Sequence, residues 1–239
     1  RVKQYPIFEH YTPKYKTTLW TLILLADIKH KRNEQRIKRP LKTISDHFYD
    51  KKERIFCLKR SHFPIPCLNG NMLYIHFYFG NKLNKKFENI IEFFNKYQRF
   101  DDGSYSTPRG YPYFANKSCY GKHTCFWGIV KLFKGLSFIP QEYRTNSANT
   151  LIKKCIDFIL LHKVCFSSHN ENKFLHPAME KLIFPNMYHS DFLEILWLLK
   201  REKVQEKPPS FADRVSASPG GEHLRLCYAC GTCVSRCLV

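Results

Sequence analysis

The amino-acid sequence predicts an all-α protein, an arc of an α/α barrel followed by a short cysteine-rich module. Three observations point there. Segments that are apolar on nearly every face alternate with amphipathic ones at a period of roughly fifty residues, the pattern of stacked helix pairs. Each amphipathic segment is followed by a long loop rich in aromatics or glycine, which would gather the loops on one face. A stretch bearing Pro, Ser and Gly, 204–221, then separates the helical part from four closely spaced cysteines.

The apolar segments are Thr18–Ile28 (TLWTLILLADI), Asn71–Phe79 (NMLYIHFYF), His123–Phe138 (HTCFWGIVKLFKGLSF) and Asp191–Leu199 (DFLEILWLL). A helix without a polar face is buried on all sides, so the helices carrying Trp20, Trp127 and Trp197 are expected to be the inner ones. The amphipathic segments have one wet face and belong outside. Lys86–Tyr97 sets Phe87, Ile90, Ile91 and Phe94 on one helical stripe, and Asn149–His162 does the same with Ile152, Cys155, Ile156 and Ile159. Leu41–Tyr49 repeats the spacing with Leu41, Ile44 and Phe48, and Pro40 suits a first helical turn. The expected domains are a helical part over 1–203, a linker over 204–221 with a short helix at Phe211–Val215, and a separate module over 222–239.

Composition sets the outer bounds. Of 239 residues, 44% are hydrophobic and 15% aromatic, enough for a core. The net charge is +19, but the lysines are spread along the chain and no nucleic-acid-binding motif accompanies them, so no nucleic-acid partner is expected. Leu19–Ile28 is too short to span a bilayer, and the protein is not expected to be transmembrane. Ten cysteines, four of them at metal-ligand spacing and six scattered, fit a reducing, cytoplasmic setting better than a disulfide scaffold. The chain opens at Arg1 and stops just after the cysteine run, and reads as an excerpt of a longer one.

Between two apolar segments lies the loop Tyr97–Gly128, YQRFDDGSYSTPRGYPYFANKSCYGKHTCFWG. Loops of this length are functional or disordered, and its aromatic content argues against disorder. It reads as the lip of a pocket, expected to border the largest cavity of the helical part. Asp101 and Asp102 are candidate catalytic groups, an acid pair or cation stabiliser beside Tyr105, Tyr111 and Tyr113, whose ring faces attract cations. The competing reading is an Asp-Asp-Gly turn. Arg109, Lys117 and Lys122, with Tyr111 and Tyr113, are candidate substrate-binding residues for a diphosphate at the start of the next helix, or else a solvated basic lip. Cys119, His123 and Cys125, joined by Cys67, have the donor types of a zinc site; buried cysteines also serve as small hydrophobes. His169 and His189 stand alone and read as structural.

The stretches YTPKYKTTLWTLILLAD, CLNGNML, YQRFDDGSYSTPRGYPY, SCYGKHTC and FPNMYHSDFLEIL resemble a family of squalene cyclase- or prenyltransferase-like proteins. The resemblance covers about Tyr11–Lys203. It implies an α/α toroid, here an incomplete ring of helix pairs, and an isoprenoid ligand, with prenyl diphosphate or terpene binding, transfer or cyclisation as the activity. The acidic D-x-D-D and D-D-x-x-D signatures of such cyclases are reduced here to Asp101-Asp102, and the zinc motif of protein prenyltransferases has no recognisable counterpart.

The most specific signal is C-x2-C-x2-C-x3-C, written CYACGTCVSRC, with Cys227, Cys230, Cys233 and Cys237 as candidate ligands. Short spacers let one turning loop aim its thiolates at one cubane, the bacterial ferredoxin pattern for a [4Fe–4S] cluster. Four thiolates also suit tetrahedral zinc. The surrounding FADRVSASPGGEHLRLCYACGTCVSRC is similar to the start of the heterodisulfide reductase C subunit. That similarity implies an oxidoreductase component passing electrons to a flavin- or cluster-bearing partner protein. Leu238 stands where proline usually follows the last cysteine, and the second cysteine run is expected in a continuation of the chain. The leading expectation is thus an iron–sulfur electron-transfer protein, and the alternative an isoprenoid-handling enzyme or binder.

Overall fold

The computed structural model describes residues 11–204 except positions 33, 60, 61, 105, 115, 116, 171 and 181. About half of the described residues are helical, and a two-stranded hairpin is the only sheet among them. The elements are α1 (Thr18–Asp27), α2 (Gln35–Phe48), β1 (Tyr49–Asp50), β2 (Ile55–Phe56), α3 (Pro66–Tyr78), α4 (Lys85–Tyr97), α5 (Lys117–Tyr120), α6 (Phe126–Ser137), α7 (Asn146–Leu161) and α8 (Phe192–Arg201). The chain divides into two compact units, Arg1–Cys155 and Ile156–Val239. The expected linker and C-terminal module lie beyond residue 204, outside the described residues, together with Cys227, Cys230, Cys233 and Cys237.

The core of the first unit is the crossing of α3 and α6. Every residue of α3 except Cys67 is buried, and so is every residue of α6 except Trp127. Glycine is what allows the approach. A Cβ on Gly70 would lie 2.1 Å from the Lys131 carbonyl oxygen, and one on Gly135 would lie 2.3 Å from the Gly70 carbonyl oxygen. Backbone meets backbone here, and no side chain can yield to make room. Pro66 opens α3 at its first turn, where its missing N–H costs nothing.

α1 and α4 close on this pair through specific groups. Asp27 ends α1, where the helix dipole disfavours a carboxylate. It is offset by the ammonium of Lys134 at 2.7 Å and by the Tyr74 hydroxyl, which donates to it at 2.7 Å. The same ammonium lies 4.1 Å from the centroid of the Tyr74 ring. The amphipathic α4 buries Phe87, Ile90, Ile91 and Phe94, and Asn84 caps it by accepting from the amides of Lys86 and Phe87.

The hairpin takes Tyr49 from the end of the amphipathic segment Leu41–Tyr49 and its second strand from a stretch that reads as loop. Tyr49 pairs with Phe56 and Asp50 with Ile55, and the turn is tied by the Asp50 carboxylate, which accepts from the amides of Lys52 and Glu53. Asn69 on α3 holds the second strand. Its amide donates to the Phe56 carbonyl at 2.9 Å and its oxygen accepts from the Phe56 amide at 3.2 Å. The stretch CLNGNML is therefore explained by packing: Asn69 clamps β2, and Gly70 lets α6 in.

The helices that carry tryptophan are the better buried, as expected: eleven of the twelve residues of α6 are buried against four of the thirteen of α4, although the tryptophan side chains do not all share that burial. Trp20 is fully buried, but Trp127 and Trp197 are only half-buried, while Ile90 on the amphipathic α4 is fully buried. Pro40 is not in a first turn. α2 starts at Gln35, so Pro40 sits inside it and removes one helical hydrogen bond. α6 starts at Phe126 rather than near His123, because residues 122–124 are bonded to the Asp101–Gly103 stretch of the loop.

In the second unit, Phe166 bridges Phe174 with their rings stacked at 4.7 Å. Asp191 caps α8 by accepting from the Glu194 amide and also accepts from the Ile183 amide, each at 2.9 Å. No helix among the described residues is long and apolar enough to cross a membrane.

Candidate functional site

The Asp-Asp-Gly stretch is a hydrogen-bonded turn. Asp101 Oδ1 accepts from the Ser104 hydroxyl at 2.6 Å and the Ser104 amide at 3.1 Å. Its own amide donates to Thr124 Oγ1, its carbonyl accepts from the Thr124 amide, and Gly103 N–H donates to the Lys122 carbonyl. Gly103 has φ of 100°, and a Cβ there would strike the His123 ring at 2.5 Å. The Ser104 hydroxyl, chief among these donors, holds the Asp101 carboxyl below its ordinary range. An acid that protonates a substrate needs the opposite shift. Asp102 faces His123, with Oδ1 and Nδ1 3.4 Å apart.

The tyrosines of the loop pack on one another. Tyr97 lies 4.8 Å from Phe93 and 6.3 Å from Tyr111, and Tyr113 lies 5.9 Å from Tyr120 (ring centroids). The Tyr113 hydroxyl donates to the Tyr97 carbonyl. Burial pushes the Tyr111 hydroxyl upward from its ordinary pKa. Tyr105 is outside the described residues. Arg109 and Lys122 are exposed. Lys117 opens α5, while α6, the helix expected to receive an anion, begins only at Phe126. Lys117 therefore opens a different helix from the one expected to receive the anion.

The candidate zinc donors separate into two groups. Cys67, Cys119 and Cys125 all interact electrostatically with Tyr11, whose hydroxyl lies 3.5 Å from Cys67 Sγ. Burial raises the Cys67 thiol to about 11 and also raises Cys125. His123 is exposed and turned to Asp102 instead. These four residues do not bring their donor atoms within 4.8 Å of one another. Metal binding there would have to displace protons from thiols that burial keeps neutral. Elsewhere burial likewise raises Cys57 and Cys165 to about 12, the behaviour of cysteines packed as small hydrophobes. His169 sits in a turn in which its amide donates to Ser167 Oγ, and the His189 ring packs on Tyr188 at 3.8 Å.

Two cavities stand out in the first unit. The loop borders one of about 330 Å³, lined by residues 96–101 and Tyr113, without Cys119 or His123. The other, of about 560 Å³, lies between α2 and the turn leading into α4 and is larger than the one the loop borders. Its floor holds Ile37, Leu41, Phe79 and Phe87, with His76 and Ser45 as buried polar groups. Ser45 Oγ donates to the Leu41 carbonyl at 2.8 Å, so it accepts from His76 Nε2–H at 2.6 Å; His76 Nδ1 then accepts from the Asn81 amide. Burial lowers His76 to about 3. A serine nucleophile would have to give its proton to the ring; this hydroxyl gives it to the backbone, so the trio is a packed polar floor. The sequence held two signs of this cavity: a histidine inside an apolar segment, and the basic run NKLNKK that follows it.

No family model matches the chain, and no curated protein or solved structure matches it either.

Proposed function

We propose that the protein is an iron–sulfur electron-transfer component, a ferredoxin-type module like that of the heterodisulfide reductase C subunit carried on a helical domain. One observation carries this reading: the C-x2-C-x2-C-x3-C run of Cys227, Cys230, Cys233 and Cys237. Its thiolates are the donor set of a [4Fe–4S] cluster, which supplies one-electron transfer to a flavin- or cluster-bearing partner. The six cysteines of the helical part form no disulfide with one another, and burial raises the thiol pKa of five of them, the behaviour of packed side chains.

The second reading is an isoprenoid binder or enzyme of the squalene cyclase superfamily, with the helical part as an incomplete α/α toroid. It is supported by the resemblance over Tyr11–Lys203 and by the predominance of helix there. Anaerobic purification separates the two. A brown protein with visible charge-transfer absorbance, bleached by dithionite and lost in Cys230→Ser, supports electron transfer. A colourless protein that binds a prenyl diphosphate tightly supports the second reading instead.

A further inference from the structure

We propose that the cavity between α2 and α4 binds a small organic phosphate, with its anionic head among Lys38, Lys82 and Lys86 and its apolar part against Ile37, Leu41 and Phe87. The lining carries five cations against two carboxylates. Both carboxylates are engaged: Asp46 pairs with Lys42 at 2.5 Å and Glu34 with His30 at 2.6 Å. Lys38 and Lys82 are exposed and have no ion-pair partner among the described residues. Arg32 and Lys86 are held in place by rings: the Arg32 guanidinium lies 5.1 Å from the Tyr78 centroid, and the Lys86 ammonium 4.2 Å from that of Tyr49. The positive end of α4 opens on the same cavity through Asn84, Lys86 and Phe87.

Size decides against a bare inorganic anion. A cavity of about 560 Å³ falls in the range of sites that enclose an organic ligand, and its floor is apolar and aromatic. The His76 ring on that floor is neutral and already bonded on both nitrogens, so it adds shape and no charge. The head group must therefore meet the cations at the mouth. This proposal makes no use of the C-terminal cysteines and stands whether or not they hold a cluster.

The probe is octyl phosphate below its micellar concentration, titrated calorimetrically into the full chain beside inorganic phosphate and uncharged octyl glucoside. Saturable binding of octyl phosphate is expected, at least ten-fold tighter than either control. The pair Lys38→Glu/Lys82→Glu should weaken it at least ten-fold, and the milder Lys38→Gln/Lys82→Gln several-fold, both with an unchanged far-UV spectrum. The pair Lys153→Glu/Lys154→Glu, exposed on α7 and equal in charge change, should leave it intact. No binding, equal binding of inorganic phosphate or octyl glucoside, or an equal loss in the Lys153/Lys154 pair would each overturn the proposal. The last outcome would show attraction to the overall charge alone.

Discussion

Replacing Gly135 by alanine should destabilise the protein although it improves helix propensity. The new Cβ would lie 2.3 Å from the Gly70 carbonyl oxygen and 2.8 Å from Leu73 Cβ. Reaching ordinary contact requires α3 and α6 to part by about 1 Å, and a gap of that size forfeits a quarter to a half of each dispersion contact along the crossing. Overpacking of this kind costs about 1–3 kcal/mol or more, against a gain of at most about 1 kcal/mol for alanine over glycine in a helix. Since the obstruction is backbone, the upper part of the range applies, and a net loss of about 2 kcal/mol is expected, or a fall in Tm of about 4–8 °C. Thermal unfolding followed by circular dichroism measures it. Gly110→Ala, where an added Cβ meets nothing within 4 Å, is the control and should stay within about 0.5 kcal/mol. Gly70→Ala should repeat the loss, and the double variant should cost less than the sum, because one separation of the helices relieves both clashes. A Gly135→Ala protein as stable as the parent would refute the close crossing.

Three further outcomes follow from the same structure. Asp27→Asn should cost about 3–5 kcal/mol in urea unfolding, because it strips the carboxylate from beside a buried ammonium, whereas Asp27→Leu/Lys134→Met should recover most of that loss. His76, lowered to about 3 from 6.5 by burial, makes the fold acid-sensitive. Below pH 6.5 the unfolded chain takes up a proton that the folded one refuses, so stability is complete above that pH and is lost as pH falls toward 3. The loss is about 1.4 kcal/mol per pH unit, or about 2 kcal/mol by pH 5, and His76→Phe should flatten the slope of Tm against pH even if it lowers Tm throughout. Gly103→Ala should lower Tm and shift the His123 imidazole resonances in NMR, since it strains a left-handed backbone and displaces that ring; unchanged resonances would remove the contact.

Helix positions were legible because they depend on local periodicity. The stripe of Phe87, Ile90, Ile91 and Phe94 located α4 closely, and the apolar run from Thr18 located α1. What the sequence did not show depends on contacts between distant residues. Asn69 falls just before the apolar segment Asn71–Phe79, and only the structure shows it on α3, bonded to both sides of Phe56. Gly70 and Gly135 carry no sequence signal of their pairing, which exists only where α3 crosses α6. The start of α6 was misplaced because tertiary bonds to Asp101 and Gly103 took residues 122–124 out of the helix. The tryptophans marked the better-buried helices, yet within α6 Trp127 is itself only half-buried while Lys131 and Lys134 are buried. In the loop, composition suggested an open aromatic lip. The rings instead pack on each other, and the carboxylate of Asp101 is spent on its own turn.

Metal and sulfide analysis of anaerobically prepared protein decides whether Cys227, Cys230, Cys233 and Cys237 hold the proposed [4Fe–4S] cluster. Iron and acid-labile sulfide are expected in equal amounts, about four of each per cluster, and both should be lost in Cys230→Ser. Stoichiometric zinc with no sulfide would contradict the proposal.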